Sequence, residues 1–224
     1  MNKILVVAAH PDDEALGCGG VIARHISLGE HVFVLFMTDG ESSRNVSTDL
    51  NKKISNRNES AKKALKILGV TDHKFLDFPD NKMDTVPLLE IAKAIEEVVG
   101  EFKPNIIYTH FRNDLNIDHQ ITNQAVLTAA RPQPNCCVKK ILSFEILSSS
   151  EWNSYSISQF QPQYVVDISD FWEKKEKAIN CYHDELRSFP HSRSVKALES
   201  LATLRGATNG IEKAEAFFVE RILV

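Results

Sequence analysis

Short apolar runs alternate with segments of helical periodicity along the first two-thirds of the chain. Residues 3–9 are continuously apolar, as expected of a strand buried on both faces, and the following spacing predicts a helix over 13–29. Further strands are predicted at 32–37, 73–76, 106–108 and 141–145, and further helices at 57–69, 86–99 and 118–130. Because strands that alternate with helices pair in parallel through right-handed crossovers, we expect an α/β fold. The pattern predicts a Rossmann-like, mostly parallel sheet with helices on both faces.

The last third of the chain has a different pattern. Its predicted elements are a strand at 164–168, a long amphipathic helix at 169–187, a helix at 193–206 and a strand at 216–223. No linker separates this part from the rest, so we expect a single domain over 1–224, with a core at 1–145 and a C-terminal elaboration at 146–224. The polar stretch 39–55 predicts a long surface loop, and loops of that length often cover a site.

Composition narrows the classes of partner. The 224 residues carry a formal net charge of −4 without a basic stripe, which argues against nucleic acid as a partner. No apolar run is long enough for a membrane span. The four cysteines lack CxxC spacing, a pattern typical of reduced thiols, and we therefore expect a cytoplasmic protein. The sequence leaves open whether the chain forms a homo-oligomer.

A histidine and three acidic residues directly follow the first predicted strand. The sequence there is Ala9-His10-Pro11-Asp12-Asp13-Glu14. Open α/β folds bind their ligands at the carboxyl edge of the sheet, so His10 and Asp13 are expected to converge on one metal ion. A helix N-cap would explain one aspartate, but not two beside a histidine. We therefore interpret this cluster as the first half of a metal site.

A second polar turn, after the strand predicted at 106–108, offers the missing ligand. A catalytic zinc typically takes three protein ligands and leaves a fourth position for water. His110 and His119 are both candidates. We favour His119, because it lies beside Asp118 at the start of a helix, in the same context as the first cluster.

These two motifs resemble those of the PIG-L/LmbE family of zinc-dependent de-N-acetylases. That family includes N-acetylglucosaminyl-phosphatidylinositol deacetylases and the deacetylases of mycothiol and bacillithiol synthesis. The resemblance rests on Ala-His-Pro-Asp-Asp-Glu and on Asn116-Ile117-Asp118-His119, and extends through Thr38-Asp39-Gly40-Glu41, Arg57-Asn58-Glu59 and Phe78-Pro79-Asp80. It covers most of residues 3–145, with a weaker likeness at Pro190-His191-Ser192-Arg193-Ser194.

The resemblance implies a metal centre and a reaction. Zinc, or another divalent ion such as Fe²⁺, would be bound by His10, Asp13 and His119, with Asp12 as the general base. The implied enzyme is a metal-dependent hydrolase that removes the N-acetyl group from an N-acetylated amino sugar or its conjugate with zinc-activated water. Its expected partner is a small acetamido-sugar substrate.

The resemblance also implies substrate contacts, and one position departs from it. Arg57 and Asp80 match a sugar-binding arginine and aspartate, and His110 is placed with them in the substrate site. Several relatives carry a histidine, thought to stabilise the oxyanion, where this chain has Asn116. That catalytic role then falls to the metal, to Asn116, or to His110 or His191.

Two other functions stay open from the sequence. A different metal-dependent amidase or esterase, such as a thiol-conjugate amidase, would use the same ligands and differ only in substrate. A non-catalytic sugar-binding homologue is disfavoured, because all the proposed ligands and the proposed base are present.

Overall fold

One mixed sheet forms the centre of the molecule. The computed structural model describes residues 1–43 and 49–224. Within these residues the sheet has seven strands in the order β3-β2-β1-β4-β5-β7-β6. The strands are β1 (Lys3–Ala8), β2 (His31–Thr38), β3 (Asp72–Phe78), β4 (Ile106–His110), β5 (Lys140–Phe144), β6 (Tyr164–Asp167) and β7 (Ala214–Ile222). The predicted α/β fold is confirmed.

The sheet has a parallel part and an antiparallel edge. Strands β1 to β5 pair in parallel, whereas β7 runs antiparallel to both β5 and β6. The chain leaves β1 on one side towards β2 and returns on the other side at β4. Such a reversal of strand order opens a crevice outside the carboxyl ends of the two central strands. The sequence places its histidine-rich turns at this crevice.

Helices cover both faces of the sheet. They are α1 (Asp13–Ser27), α2 (Leu50–Leu68), α3 (Leu88–Phe102), α4 (Ile117–Ala129), α5 (Trp172–Ile179) and α6 (Val195–Ala207). Alternate residues of β1 face opposite sides of the sheet. Ile4 and Val6 pack in the core on the side of α1, α2, α5 and α6. Leu5 and Val7 pack in the core on the side of α3 and α4. No helix in the described part of the chain combines the length and apolarity that crossing a bilayer requires.

Two predicted boundaries are wrong. The polar stretch 39–55 is not all loop, because α2 begins at Leu50; its polar residues face solvent while Ala61 and Leu65 bury the other face. Residues 44–48 of that stretch lie outside the described part. The helix predicted at 169–187 is regular only over α5, with a 3₁₀ turn on either side. Beyond α5 the chain turns inward, since Tyr182 and Glu185 bond to groups of the crevice.

Helix α1 is kinked at Cys18, whose φ of −146° and ψ of 23° are not helical. A buried ion pair supplies the hydrogen bonds that a regular helix would make within itself. Lys175 Nζ donates to the Leu16 carbonyl at 2.8 Å, and the Gly20 N–H donates to Glu215 Oε1 at 2.9 Å. Lys175 and Glu215 also contact each other at 2.6 Å. Residues of the C-terminal third thus hold the helix that carries the first motif.

The glycines of α1 allow this helix to lie close to its neighbours. A Cβ atom on Gly17 would come within 2.4 Å of the Phe144 ring, and one on Gly20 within 2.8 Å of Ile168. The run Gly17-x-Gly19-Gly20 is therefore a packing feature of α1.

Candidate metal centre and catalytic cleft

The first motif and the second polar turn meet outside the carboxyl ends of β1 and β4. His10 follows β1, Asp13 opens α1, and His119 lies in the first turn of α4. All three are buried, with exposed fractions of 7%, 1% and 2%. The structure therefore brings together the three residues predicted as metal ligands.

The donor atoms of these three residues have the spacing of a tetrahedral site. His10 Nδ1 lies 3.2 Å from Asp13 Oδ2, His119 Nε2 lies 3.4 Å from that oxygen, and the two nitrogens are 3.3 Å apart. Ligands bound tetrahedrally at the usual zinc distances are separated by about 3.3 Å. Asp13 Oδ1 is buried and makes no hydrogen bond with any described residue. This donor set fits zinc.

Carboxylates behind the ligands orient the imidazole rings. Asp114 Oδ1 lies 3.1 Å from His119 Nδ1, leaving Nε2 to face the other ligand atoms. Asp114 is itself held by the hydroxyls of Ser149 and Ser150, the second at 2.5 Å. Burial alone lowers the pKa of His119, but Asp114 and Asp13 outweigh it and raise the pKa to about 9. A carboxylate behind a histidine is the usual way in which proteins orient a metal ligand.

His10 has a similar pair of carboxylates behind it. Its Nε2 lies 3.1 Å from Asp118 Oδ2 and 3.2 Å from Asp80 Oδ1. These three residues are close enough to bind a cation themselves. However, Asp118 already accepts hydrogen bonds from the backbone N–H groups of Asn81 at 2.6 Å and Met83 at 3.1 Å. Asp13 Oδ2 also accepts a backbone N–H, that of His10 at 2.8 Å, but Asp13 Oδ1 has no partner among the described residues, which makes the first trio the better cation site.

A strained turn places Asp12 beside the ligands. Asp12 has φ 144°, in the region that disfavours residues other than glycine. Its N–H donates to Glu14 Oε2 at 3.1 Å, and Tyr182 Oη donates to Glu14 Oε1 at 2.6 Å. Strain that the surroundings hold in place is common at functional sites.

Two arginines hold one oxygen of the Asp12 carboxylate. Asp12 Oδ2 lies 3.3 Å from Arg57 Nη2 and 3.1 Å from Arg193 Nη1. Both arginines also contact Glu185, at 2.5 Å and 3.6 Å respectively. Burial raises the pKa of Asp12, and the two guanidinium groups oppose that rise. Asp12 Oδ1 makes no hydrogen bond within the described residues and stays available as a proton acceptor.

A cleft of about 130 Å³ opens over these groups. Six of the predicted site residues line it: His10, Asp12, Arg57, Asp80, Asn116 and His119. Asp80 keeps its charge there, because its bond to His10 outweighs the effect of burial and lowers its pKa to about 2. A separate groove of about 390 Å³ lies between α2 and residues 182–184. Arg57 borders both spaces.

Three predicted site residues do not line the cleft: the buried ligand candidate Asp13, His110 and His191. His110 is fully buried, its Nε2 accepts the Ala9 N–H at 2.8 Å, and its ring stacks on His119 with centroids 3.9 Å apart. Because His110 has no exposed surface, it cannot contact a substrate in this structure, and its stacked ring instead helps to fix the orientation of His119. His191 packs against Trp152, and its Nδ1 accepts the Arg193 N–H at 3.0 Å. Its ring therefore positions the segment before α6.

The sequence reasoning did not assign Asp114, Glu185 or Arg193. Asp114 lies in the same polar turn as His119. Because metal-bound histidines commonly have a carboxylate partner, that proximity in sequence could have identified Asp114. Arg193 lies within the weak C-terminal likeness and was named there without a role. For Glu185 the local sequence carries no such signal, because its partner Arg57 is distant along the chain.

Comparison with known proteins places the chain in a family. The PIG-L profile, described as GlcNAc-PI de-N-acetylase, matches residues 5–130, more than half of the chain. The chain belongs to the PIG-L family. It is 32% identical over 163 residues to the uncharacterized deacetylase YaiS of Escherichia coli, a match spanning 70% of this chain and 80% of that protein. It is 26% identical to the diacetylchitobiose deacetylase of Thermococcus kodakarensis, over 96% of this chain and 82% of the relative.

Solved structures support the PIG-L fold over the whole chain. The N,N'-diacetylchitobiose deacetylase of Pyrococcus horikoshii matches with a TM-score of 0.80 and 21% identity, covering 98% of this chain and 84% of its own. The 4-carboxy-2-hydroxymuconate hydratase of Pseudomonas putida matches with a TM-score of 0.82 and 22% identity, covering 100% and 98%. Since a deacetylase and a hydratase match equally well, this likeness concerns the fold and not the reaction.

Proposed function

We propose that this PIG-L protein is a zinc-dependent deacetylase that removes the N-acetyl group from an N-acetylated amino sugar or its conjugate. The observation that carries the proposal is the buried trio of His10, Asp13 and His119, with donor atoms 3.2–3.4 Å apart, beside the carboxylate of Asp12. The relatives named as deacetylases support the reaction type. They include one whose name specifies an acetylated sugar, diacetylchitobiose.

The metal would be held by His10 Nδ1, Asp13 Oδ2 and His119 Nε2. Bound there, zinc would supply Lewis acidity and make water acidic enough to ionise near neutral pH. Two nitrogens and one carboxylate oxygen also suit other divalent ions, Fe²⁺ among them. We propose zinc because the spacing of the donor atoms fits its tetrahedral geometry.

Asp12 is the proposed general base. Its Oδ1 accepts a proton as the water oxygen forms a bond to the acetamide carbonyl carbon. The same proton then passes to the sugar nitrogen as the C–N bond breaks, which releases acetate and the free amine. Arg57 and Arg193 keep Oδ2 occupied during both transfers, so the carboxylate presents Oδ1 each time.

Asp80 is the proposed anchor for the sugar. It lines the cleft and stays ionised, so it can accept hydrogen bonds from sugar hydroxyls. Arg57 is proposed as its partner in holding the sugar. We further propose a cytoplasmic location, with which the four unpaired cysteines are consistent.

An acetate-release screen with metal analysis of the same preparation tests the proposal. The panel contains N-acetylglucosamine, N,N'-diacetylchitobiose, and N-acetylglucosamine linked to inositol, to a nucleotide and to malate. We expect release from at least one sugar, loss of release after chelation, and recovery when Zn²⁺ is restored. Protein that holds one zinc per chain and releases no acetate from any of them would overturn the proposed function. Release from amides or esters without a sugar would redirect it to another metal-dependent hydrolase.

A further inference from the structure

Hydrolysis of an amide needs a hydrogen-bond donor for the acyl oxygen as charge develops on it. Asn116 lines the cleft, but the oxygen and one of the two N–H groups of its side-chain amide are already engaged. Its Oδ1 accepts the Asp118 N–H at 2.8 Å as the N-cap of α4, and its Nδ2 donates to Asn81 Oδ1 at 3.1 Å. The residue that replaces the expected histidine therefore serves the helix and keeps only one uncharged N–H, so beside the proposed metal a charged donor at the cleft would stabilise the acyl oxygen better.

His191 is not that donor. Its Nδ1 accepts the backbone N–H of Arg193, and its ring lies against Trp152 with centroids 5.5 Å apart. The imidazole fixes the backbone of the next arginine and does not line the cleft. Arg193, two residues after His191, is therefore the better candidate.

Arg193 reaches the cleft with one part of its guanidinium group unoccupied. Nη1 contacts Asp12 Oδ2 at 3.1 Å, and Nε donates to Ser148 Oγ at 3.0 Å. Within residues 1–43 and 49–224, Nη2 makes no hydrogen bond. The side chain is 19% exposed, whereas that of Arg57 is 7% exposed. Two anchored nitrogens fix the plane of the guanidinium, so the direction of Nη2 is fixed as well.

Among the described residues that line the cleft, Arg57 is a second arginine, and its guanidinium is surrounded by carboxylates. Its terminal nitrogens contact Asp12 at 3.3 Å, Glu185 at 2.5 Å and Glu41 at 3.9 Å. These contacts direct the terminal nitrogens of Arg57 towards carboxylates, and its Nε is buried without a hydrogen-bond partner among the described residues. Among the described arginines that line the cleft, Arg193 is the one that combines a partly exposed side chain with a terminal nitrogen left for the acyl oxygen.

We propose that Arg193 is a catalytic residue of the deacetylation, in which Nη2 donates a hydrogen bond to the acyl oxygen of the substrate while Nη1 holds Asp12. The inference rests on the proposed function. As the water oxygen bonds to the carbonyl carbon, the C=O π electrons move onto the acyl oxygen, and the guanidinium stabilises that charge without giving up a proton. The electrons return when the C–N bond breaks. One side chain would thereby link the base to the atom on which charge develops.

The test compares Arg193→Ala with Arg187→Ala. Arg187 is an exposed arginine of the same segment, and its guanidinium donates only to the backbone carbonyls of Asp184 and Leu186. With the acetamido sugar that the wild type deacetylates best, we expect Arg193→Ala to lower kcat by about 10²–10³-fold with a much smaller change in KM. Added methylguanidinium should restore part of that kcat. Arg187→Ala should match the wild type.

Metal content and thermal unfolding separate a lost contact from a damaged fold. Both variants should keep one zinc per chain and an unfolding midpoint close to that of the wild type. An N-trifluoroacetyl substrate separates a contact to the acyl oxygen from a role through Asp12 alone. Its activated carbonyl needs less stabilisation, so the loss caused by Arg193→Ala should be smaller than with the N-acetyl sugar.

Four results would overturn the inference. They are a kcat for Arg193→Ala within about threefold of the wild type, a loss explained by missing metal, the absence of rescue by methylguanidinium, and equal losses on the two acyl groups. Each leaves the proposed function standing if the wild type releases acetate. An inactive, zinc-loaded wild type overturns the proposed function itself, and this inference with it.

Discussion

The parallel part of the sheet and the C-terminal third contribute to the candidate site in different ways. Residues 3–145 supply the three proposed metal ligands, from the connections after β1 and β4 and the first turns of α1 and α4. Residues 146–224 supply Tyr182, Glu185 and Arg193 from irregular segments around the helices of that third. The first contribution follows from the geometry of the fold, since carboxyl ends of parallel strands meet at one edge. The second follows from contacts between residues far apart in the chain.

The two regions also differ in their electrostatics. In the parallel part, carboxylates face histidines, and the pKa of Asp114 is lowered to about 2 because His119 more than offsets the effect of burial. The C-terminal third supplies Arg193, which joins Arg57 of the parallel part at the Asp12 carboxylate, and Glu185, which contacts both arginines. The comparison assigns metal binding to the first region and control of the base to both.

The strongest test of this division is Asp12→Asn. The amide cannot accept the proton, so we expect kcat for acetate release to fall by about 10²–10⁴-fold. Because Asp12 is not among the proposed ligands, bound zinc should stay at one per chain. Loss of the metal together with activity would mean that metal binding and the base are not separable.

The next test asks whether the C-terminal third holds the helix of the first motif. Lys175→Met leaves the buried Glu215 without its cation, and we expect unfolding to become easier by about 3–5 kcal/mol. Denaturant unfolding measures the effect, and the exposed Lys174→Met on the same helix is the matched control. Equal stability of the two variants would show that the ion pair does not hold the kink of α1.

A smaller loss of function is expected from a change at Asp114, the carboxylate that faces the proposed ligand His119. Asp114→Asn removes the charge that faces His119 Nδ1, so metal affinity should fall by about 10–100-fold. Competition with a chelator measures the affinity, and excess zinc should restore most of the activity. Failure of excess zinc to restore activity would show that Asp114 acts on more than metal binding.

The smallest effect separates Asn116 from Arg193. Asn116→Ala removes the N-cap of α4, which should cost about 1 kcal/mol of stability. Its loss of kcat should be well below that of Arg193→Ala, because its amide is used within the protein. A larger loss of kcat for Asn116→Ala than for Arg193→Ala would indicate that Asn116, in the parallel part, stabilises the oxyanion.

The same division explains what the sequence could predict. Continuous apolar runs predict β1 and β4, and the polar turns after them predict His10, Asp13 and either His110 or His119 as neighbours at one edge of the sheet. The structure brings these residues together, and their role as metal ligands stays a prediction. The helix predicted at 169–187 was wrong, because Tyr182 and Glu185 leave the helical path to reach partners at the crevice. Arg193 carries no local pattern that reveals its partner Asp12. Pairings across such distances are set by the packed fold and not by neighbours in sequence.

The ion pair at the kink of α1 also has a consequence for the order of events during synthesis. All three proposed ligands have been translated once residue 119 is added, yet the Gly20 N–H must wait for Glu215. A nascent chain that has passed residue 119 already carries all three proposed ligands, but the kink of α1, the helix that Asp13 opens, is still unsupported. Tight zinc binding should therefore come late, after almost the whole chain has been made, and shortened chains that keep every ligand should bind the metal weakly.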